Sequence, residues 1–78
     1  MKVVGIERKK GTYEGREYDN IVLTCLAPYP EEKEASGQFA ETVKVKYSVF
    51  EETDIDIGDD ITVNYNKFGQ VKELVRKE

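Results

Sequence analysis

The chain has 78 residues, of which 36% are charged and 38% hydrophobic, and its formal net charge is −4 at pH 7. This length suffices for a single domain, residues 1–78, and the hydrophobic share permits a globular core. One cysteine, Cys25, excludes an intrachain disulfide, and the lack of histidine removes the common zinc ligand sets and the usual catalytic triads. We therefore expect no enzymatic activity, no metal and no cofactor.

Location and assembly follow from the apolar content. No apolar run reaches the length of a membrane span, and residues 1–5 lack the hydrophobic core of a signal peptide. We expect a cytoplasmic protein with no membrane partner. A domain this short has a thin core, and dimerisation would add buried apolar area, so we also expect a homodimer.

Five segments show the patterning of half-buried strands. The third is the clearest, because valines and a tyrosine alternate with Lys44, Lys46 and Ser48 over positions 43–49. In the second segment, Cys25 shares its alternating face with Ile21 and Leu23, which predicts a buried structural thiol. The predicted strands are 2–10, 18–27, 39–50, 60–66 and 70–76.

Glycine and proline mark the connections between these strands. Residues 11–15 have glycine at both ends and predict the tip of the first hairpin, and residues 66–69 predict a tight turn. Residues 28–37 begin with Pro28-Tyr29-Pro30 and cannot continue a central strand, because proline has no backbone N–H to donate. We therefore expect a long, exposed and mobile hairpin wing. A short helix over 31–36, capped by Gly37, is the alternative.

Five short strands without a convincing helix predict an all-β fold, specifically a five-stranded antiparallel OB-like (oligonucleotide-binding) barrel with a long hairpin after strand 2. An open two-sheet arrangement is the alternative. The connection at residues 54–60, where an OB barrel often has a helix, is too short and too rich in aspartate to form a good one. The acidic residues at 51–60 lack the spacing of a calcium loop, and we interpret them as a solvated face.

Basic and aromatic residues together suggest a binding site. Cations cluster on the first hairpin and on the third strand, and aromatic residues lie at or beside turns. This mixture suits single-stranded nucleic acid, whose bases stack on aromatic rings and whose phosphates need cations. In the competing interpretation the lysines only solubilise a sheet face and the aromatic rings cover the barrel end. The candidate site residues are Arg8, Lys9, Lys10, Arg16, Tyr18, Lys44, Lys46 and Phe68.

The order of these features resembles that of the single-stranded-DNA-binding proteins of filamentous phages. A basic first hairpin leads into GREY at 15–18, similar to the family's Gly-Lys-Pro-Tyr. A long hairpin follows at 28–37. KFGQV at 67–71 is similar to the family's Gln-Phe-Gly-Ser-Leu turn.

The resemblance implies a compact OB-like barrel, a two-fold dimer that binds cooperatively along a strand, and a phage or mobile-element setting in DNA replication. It implies that Tyr18 and Phe68 stack on bases, that Arg8 and Arg16 contact phosphates, and that Lys44 or Lys46 stands near a basic residue of the third strand. Two features depart from the family pattern. This chain is acidic overall, and its wing carries glutamates at 31, 32 and 34.

We therefore expect sequence-tolerant binding of single-stranded DNA, or of RNA, by a dimeric OB-like barrel. The alternative is a protein-interaction module that uses a sheet edge or the acidic face and binds no nucleic acid. The placement of the cations separates the two hypotheses. Nucleic-acid binding is favoured if Arg8, Arg16, Lys44 and Lys46 line one groove with Tyr18 and Phe68, and the interaction module is favoured if these cations scatter around the fold.

Overall fold

In the computed structural model, which describes residues 1–77, five antiparallel strands form two sheets. The all-β prediction and the strand count are confirmed. Within residues 1–77 no ladder joins β3 to β5, so the strands do not close into a barrel. The first sheet has the order β1–β2–β3 and the second pairs β4 with β5, and the strands are β1 (Lys2–Tyr13), β2 (Arg16–Pro28), β3 (Gln38–Lys46), β4 (Ile61–Tyr65) and β5 (Val71–Arg76).

The central strand β2 supplies the middle of the core. Its alternating residues Ile21, Leu23 and Cys25 are buried, and burial raises the pKa of the Cys25 thiol. Cys25 pairs with Val3 on β1, and Leu23 pairs with Val43 on β3. The predicted burial of the thiol is therefore confirmed. The core is completed by Val45, Ile55, Ile61 and Leu74.

The first hairpin is longer than its sequence predicts. Its tip contains only Glu14 and Gly15, whose φ angles of 49° and 76° are both positive, as a two-residue type I′ turn requires. Tyr13 and Arg16 already pair across the hairpin. The prediction of a hairpin tip over 11–15 is therefore wrong at residues 11–13, which lie within β1.

The β2–β3 hairpin closes at the pair Pro28 and Gln38 and leaves residues 29–37 as an exposed loop. The Tyr29 and Phe39 rings pack at its base with their centroids 5.3 Å apart. Residues 31–34 form a turn and a bend and residues 35 and 36 are irregular, so the alternative of a helix over 31–36 is wrong. The predicted long hairpin after strand 2 is present.

The third strand ends earlier than predicted. Instead of continuing to residue 50, β3 stops at Lys46 and the chain forms one helical turn, α1 (Tyr47–Phe50), in which the Glu51 N–H donates to the Tyr47 carbonyl at 2.8 Å. Residues 47, 49 and 50 pack against the core from this turn. Alternation alone could not reveal the change, because a single helical turn also buries part of such a segment. Within the described residues, no helix is long and apolar enough to cross a membrane.

The two sheets are joined beside the start of β1. Val3 donates its N–H to the Asp59 carbonyl at 2.9 Å and accepts the Gly58 N–H at 2.8 Å. Lys2 and Asp60 form an isolated antiparallel bridge. The strands consequently follow one another around the core in the order β3–β2–β1–β4–β5. Among residues 1–77, the outer edges of β3 and β5 have no ladder partner.

Replacement of Leu23 by alanine tests this account of the core. Leu23 is fully enclosed, so Leu23→Ala removes buried contacts and leaves a cavity. We expect the free energy of unfolding to fall by about 2–5 kcal/mol in a urea titration followed by circular dichroism. The exposed Ile57→Ala is the control and should change little. Equal losses for both variants would contradict the assigned core.

Candidate nucleic-acid interface

The strand register sorts the predicted cations onto two faces of the first sheet. Residues paired directly across an antiparallel ladder lie on the same face. Arg8 pairs with the buried Ile21 and therefore lies on the core side, whereas Lys9 pairs with Asn20 on the outer side. Lys46 also pairs with Asn20 and so shares the outer side. The run at residues 8–10 is thus divided between the two faces.

An open groove on the outer side, which we call the hairpin groove, collects residues from three strands. It contains four of the predicted site residues, Lys9, Arg16, Tyr18 and Lys44. Tyr13 belongs to the predicted hairpin tip at 11–15, but its position in the groove, like that of Asn20, was not predicted. Both follow from the pleat, because Tyr13 pairs with Arg16 and Asn20 lies two residues from Tyr18. The full lining is Lys9, Tyr13, Glu14, Arg16, Glu17, Tyr18, Asn20 and Lys44.

Two tyrosine rings present accessible surface in the hairpin groove. Tyr18 is 42% exposed and Tyr13 is 70% exposed. Tyr18 pairs with Gly11, and a Cβ atom added to Gly11 would lie 2.5 Å from the Tyr18 hydroxyl oxygen and 2.7 Å from Cζ. The missing side chain at Gly11 therefore lets the Tyr18 ring lie against the β1 backbone.

The charge of the hairpin groove is mixed. Glu14 and Glu17 lie in its lining beside the three cations. The Lys9 ammonium stands 3.6 Å from the Glu7 carboxylate, and both side chains are more than half exposed, so this pair is weak. The lining favours an anion only modestly, and the aromatic rings are its more distinctive feature.

Arg8 has partners on the core side of the sheet. Its Nε and Nη2 donate to the two carboxylate oxygens of Asp19 at 3.0 and 2.8 Å, and its Cζ lies 3.7 Å from the centroid of the Tyr47 ring. These hydrogen bonds lower the pKa of Asp19 and raise that of Arg8. Lys10 pairs with Asp19 and lies on the same face. The structure thus separates Arg8 and Lys10 from the hairpin groove.

A second concavity, which we call the strand cleft, occupies the space between β3 and the β4–β5 hairpin. Lys44 and Asn20 belong to its lining as well as to that of the hairpin groove, so the two concavities adjoin each other at these residues. Lys46 lies here, and Tyr65 lines the opposite side. The strand cleft is lined by residues 42–46 together with Asn20, Val49, Tyr65, Gly69, Gln70 and Val71.

Phe68 lies on the turn between β4 and β5 and is 76% exposed. The Asn66 carboxamide oxygen accepts the N–H groups of Phe68 and Gln70 at 2.9 and 3.0 Å, which confirms the predicted turn. The Lys67 ammonium is 5.2 Å from the Phe68 ring centroid. Phe68 adjoins the strand cleft through Gly69 and is not part of the hairpin groove.

The acidic connection before β4 uses its carboxylates to hold its own backbone. Asp59 accepts the Asp56 N–H at 2.8 Å, and Asp56 accepts the Ile57 N–H at 2.7 Å. No group of three or more acidic or cysteine side chains within residues 1–77 is arranged to hold a metal ion. These carboxylates have a local structural role in the turn.

The Arg8–Asp19 pair predicts a pH-dependent contribution to stability. Because the pKa of Asp19 is lowered in the folded chain, the pair stabilises the fold above the ordinary aspartate pKa of about 3.9, and this stabilisation is lost as the pH falls through the lowered value. We expect Asp19→Asn to lower the urea midpoint at pH 7 and its difference from the parent to shrink as the pH falls below about 3.9 toward the lowered pKa of Asp19.

Two controls accompany this measurement. Arg8→Gln added to Asp19→Asn should remove only the contact of the guanidinium with the Tyr47 ring, so any further fall of the urea midpoint should not depend on pH. The exposed Asp54→Asn should leave the midpoint at pH 7 close to that of the parent. A difference between the parent and Asp19→Asn that stays constant from pH 7 to pH 2 would contradict the ion-pair explanation.

Known proteins offer no direct guide to this surface. A scan against protein-family models gives no match, and neither curated proteins nor solved structures match the chain. The function proposed for the chain therefore rests on the side chains that line the hairpin groove and on the resemblance carried by its sequence.

Proposed function

We propose that this protein binds single-stranded DNA with little sequence preference and without catalysis. The observation that carries the proposal is the hairpin groove, in which two exposed tyrosine rings stand beside three cations drawn from β1, β2 and β3. Aromatic faces accept any base, and cations beside them neutralise the phosphates between successive bases.

The proposed roles follow the positions of the side chains. Tyr18 is the principal stacking platform, and Tyr13 extends it toward the hairpin tip. Lys9, Arg16 and Lys44 contact phosphates, and Lys46 does so from the neighbouring strand cleft. The stacking role proposed for Phe68 rests only on the family resemblance. We assign Arg8 and Lys10 no phosphate contact, because both lie on the other face of the sheet.

The strand order supports an OB-like arrangement. In an OB fold a partly open five-stranded barrel presents the face of strands 2 and 3 and its loops to an oligonucleotide. The order β3–β2–β1–β4–β5, with backbone hydrogen bonds between the start of β1 and residues 58–61, is compatible with such a barrel left open between β3 and β5. We further propose a homodimer, because nine buried hydrophobic residues make a small core. Sedimentation equilibrium tests that assembly.

Two features favour the protein-interaction alternative. The first is that the predicted cations do not all line one groove with Tyr18 and Phe68, because Arg8 and Lys10 lie on the other face of the sheet and Phe68 lies outside the hairpin groove. The second is an open strand edge. The outer edge of β3 is unpaired within the described residues, and such an edge accepts an added strand from a partner. This alternative predicts no affinity for an oligonucleotide at any salt concentration. The titration below therefore separates the two functions.

Salt dependence provides the first test. If Lys9, Arg16, Lys44 and Lys46 each neutralise a phosphate, log K for a fluorescein-labelled oligothymidine should fall with log[salt] at a slope of about −3. Lys44→Gln should reduce the slope by about 0.7, whereas Lys33→Gln in the exposed wing should leave it unchanged. Fluorescence anisotropy at several salt concentrations measures both. Absence of binding at low salt would refute the proposed function.

Gly11 provides a test that changes no charge. A methyl group at this position forces the Tyr18 ring away from the β1 backbone. We expect Gly11→Ala to weaken oligonucleotide binding, by up to the roughly 1–3 kcal/mol that a stacked base contributes. Thr12→Ala, next to it on the opposite face, is the matched control.

A double variant shows whether Gly11 acts through Tyr18. In the Tyr18→Ala background, Gly11→Ala should have no further effect on affinity, since the ring it positions is absent. Additive losses in the double variant would show that Gly11 acts by another route. Circular dichroism of each variant confirms that the sheet is retained.

A further inference from the structure

The strand cleft is distinguished by its charge. Its lining includes Lys44 and Lys46 and, among the residues that the structure describes, no carboxylate. The hairpin groove contains Glu14 and Glu17, and two further grooves are both lined by Glu17 and Asp19. One of these two grooves also contains Glu51 and shares Lys46 with the strand cleft. In a chain with a net charge of −4, a concavity with two cations and no acid is suited to an anionic ligand.

The walls of the strand cleft add an aromatic and an apolar surface to these charges. Tyr65 is 54% exposed and lies on the side opposite the lysines. Val49 and Val71, both partly buried, contribute apolar atoms to the lining. An exposed tyrosine, an apolar wall and adjacent ammonium groups together suit a nucleobase and its flanking phosphates.

The residues that the strand cleft shares with the hairpin groove indicate which ligand the strand cleft binds. Asn20 and Lys44 belong to both linings, so a ligand that leaves the Tyr18 ring along β3 enters the strand cleft without crossing the hairpin tip, where the carboxylates lie. A second ligand molecule in the strand cleft would have to compete with the DNA strand in the hairpin groove for Lys44. The shared residues therefore favour one ligand spanning both concavities.

We propose that the strand cleft is a second nucleotide-binding subsite, in which Tyr65 stacks on a base and Lys44 and Lys46 hold the adjoining phosphates. This proposal rests on the single-stranded-DNA binding proposed for the hairpin groove. It adds a subsite beside the second sheet, which the same DNA strand reaches from the hairpin groove.

The chain contains no tryptophan, so Tyr65→Trp introduces a single reporter at the subsite. We expect an oligothymidine of eight nucleotides to quench the fluorescence of this indole in parallel with its anisotropy titration, because stacking brings the base onto the ring. Tyr29→Trp, at the base of the wing, is the control and should not be quenched. An oligomer that binds Tyr65→Trp by anisotropy and leaves its indole unquenched would overturn the subsite and leave the proposed function standing.

Affinity provides an independent readout. Tyr65→Ala should weaken binding of the eight-nucleotide oligomer about 5- to 150-fold, corresponding to the loss of one stacked base. It should leave a trinucleotide that fills only the hairpin groove unaffected, whereas Tyr18→Ala should weaken both ligands. Tyr65→Phe keeps the ring and should retain the parent affinity, which separates stacking from a folding defect.

Two other outcomes count against the subsite. If the indole emission of Tyr65→Trp changes with protein concentration in the absence of DNA, and added oligomer does not alter it, the strand cleft is an interface between copies of the chain. If no oligomer binds the parent protein at low salt, both the proposed function and the subsite that rests on it are refuted.

Discussion

The alternation of side chains along β2 is the constraint on which the candidate site depends. β2 is hydrogen-bonded on both sides, and its residues Ile21, Leu23 and Cys25 must face the core. Because successive residues of a strand point to opposite faces, Tyr18 and Asn20 are then directed outward. A shift of one residue would bury these polar side chains and expose the core. Burial of the core thus determines which side chains of β2 point outward, and the outward side chains themselves need not contribute to stability.

The end of β3 at Lys46 determines the shape of the second half of the molecule. The chain leaves the sheet there and forms α1, which contacts β2, β3 and β5. Within residues 1–77, β3 and β5 form no ladder with each other, and the strand cleft lies where such a ladder would close the barrel. A closed barrel would satisfy more backbone hydrogen bonds. The open arrangement instead leaves Tyr65 and Lys46 accessible in the same cleft.

Patterns with a period of two predicted most of the fold. They placed five strands and the burial of Cys25 correctly, because each pattern reflects a single local preference for one buried face. They missed α1, since the spacing of Tyr47, Val49 and Phe50 is compatible with burial in either conformation. The candidate site was harder to predict, because Arg8 and Lys9 are neighbours in sequence and lie on opposite faces. The pleat separates the two residues, but only the register between β1 and β2 decides which of them faces the hairpin groove, and register depends on the exact length of the turn at Glu14 and Gly15.

The acidic net charge does not oppose nucleic-acid binding uniformly across the surface. Interactions between exposed charges weaken beyond about 8–10 Å in ordinary salt, so the carboxylates of the wing at 31–34 act mainly on their own surroundings. Glu51 lies closer to the proposed site, because it lines a further groove together with Lys46 and Tyr18. Glu14 and Glu17 are different, because they lie within the hairpin groove. They repel a phosphate at the hairpin tip, whereas Lys44 attracts one at β3. In the proposed complex the phosphate at Lys44 would therefore be held more strongly than the phosphate at Arg16, which lies beside Glu14 and Glu17. The carboxylates that reduce the affinity would thus act mainly at the hairpin tip and leave the β3 side of the groove as its stronger phosphate contact.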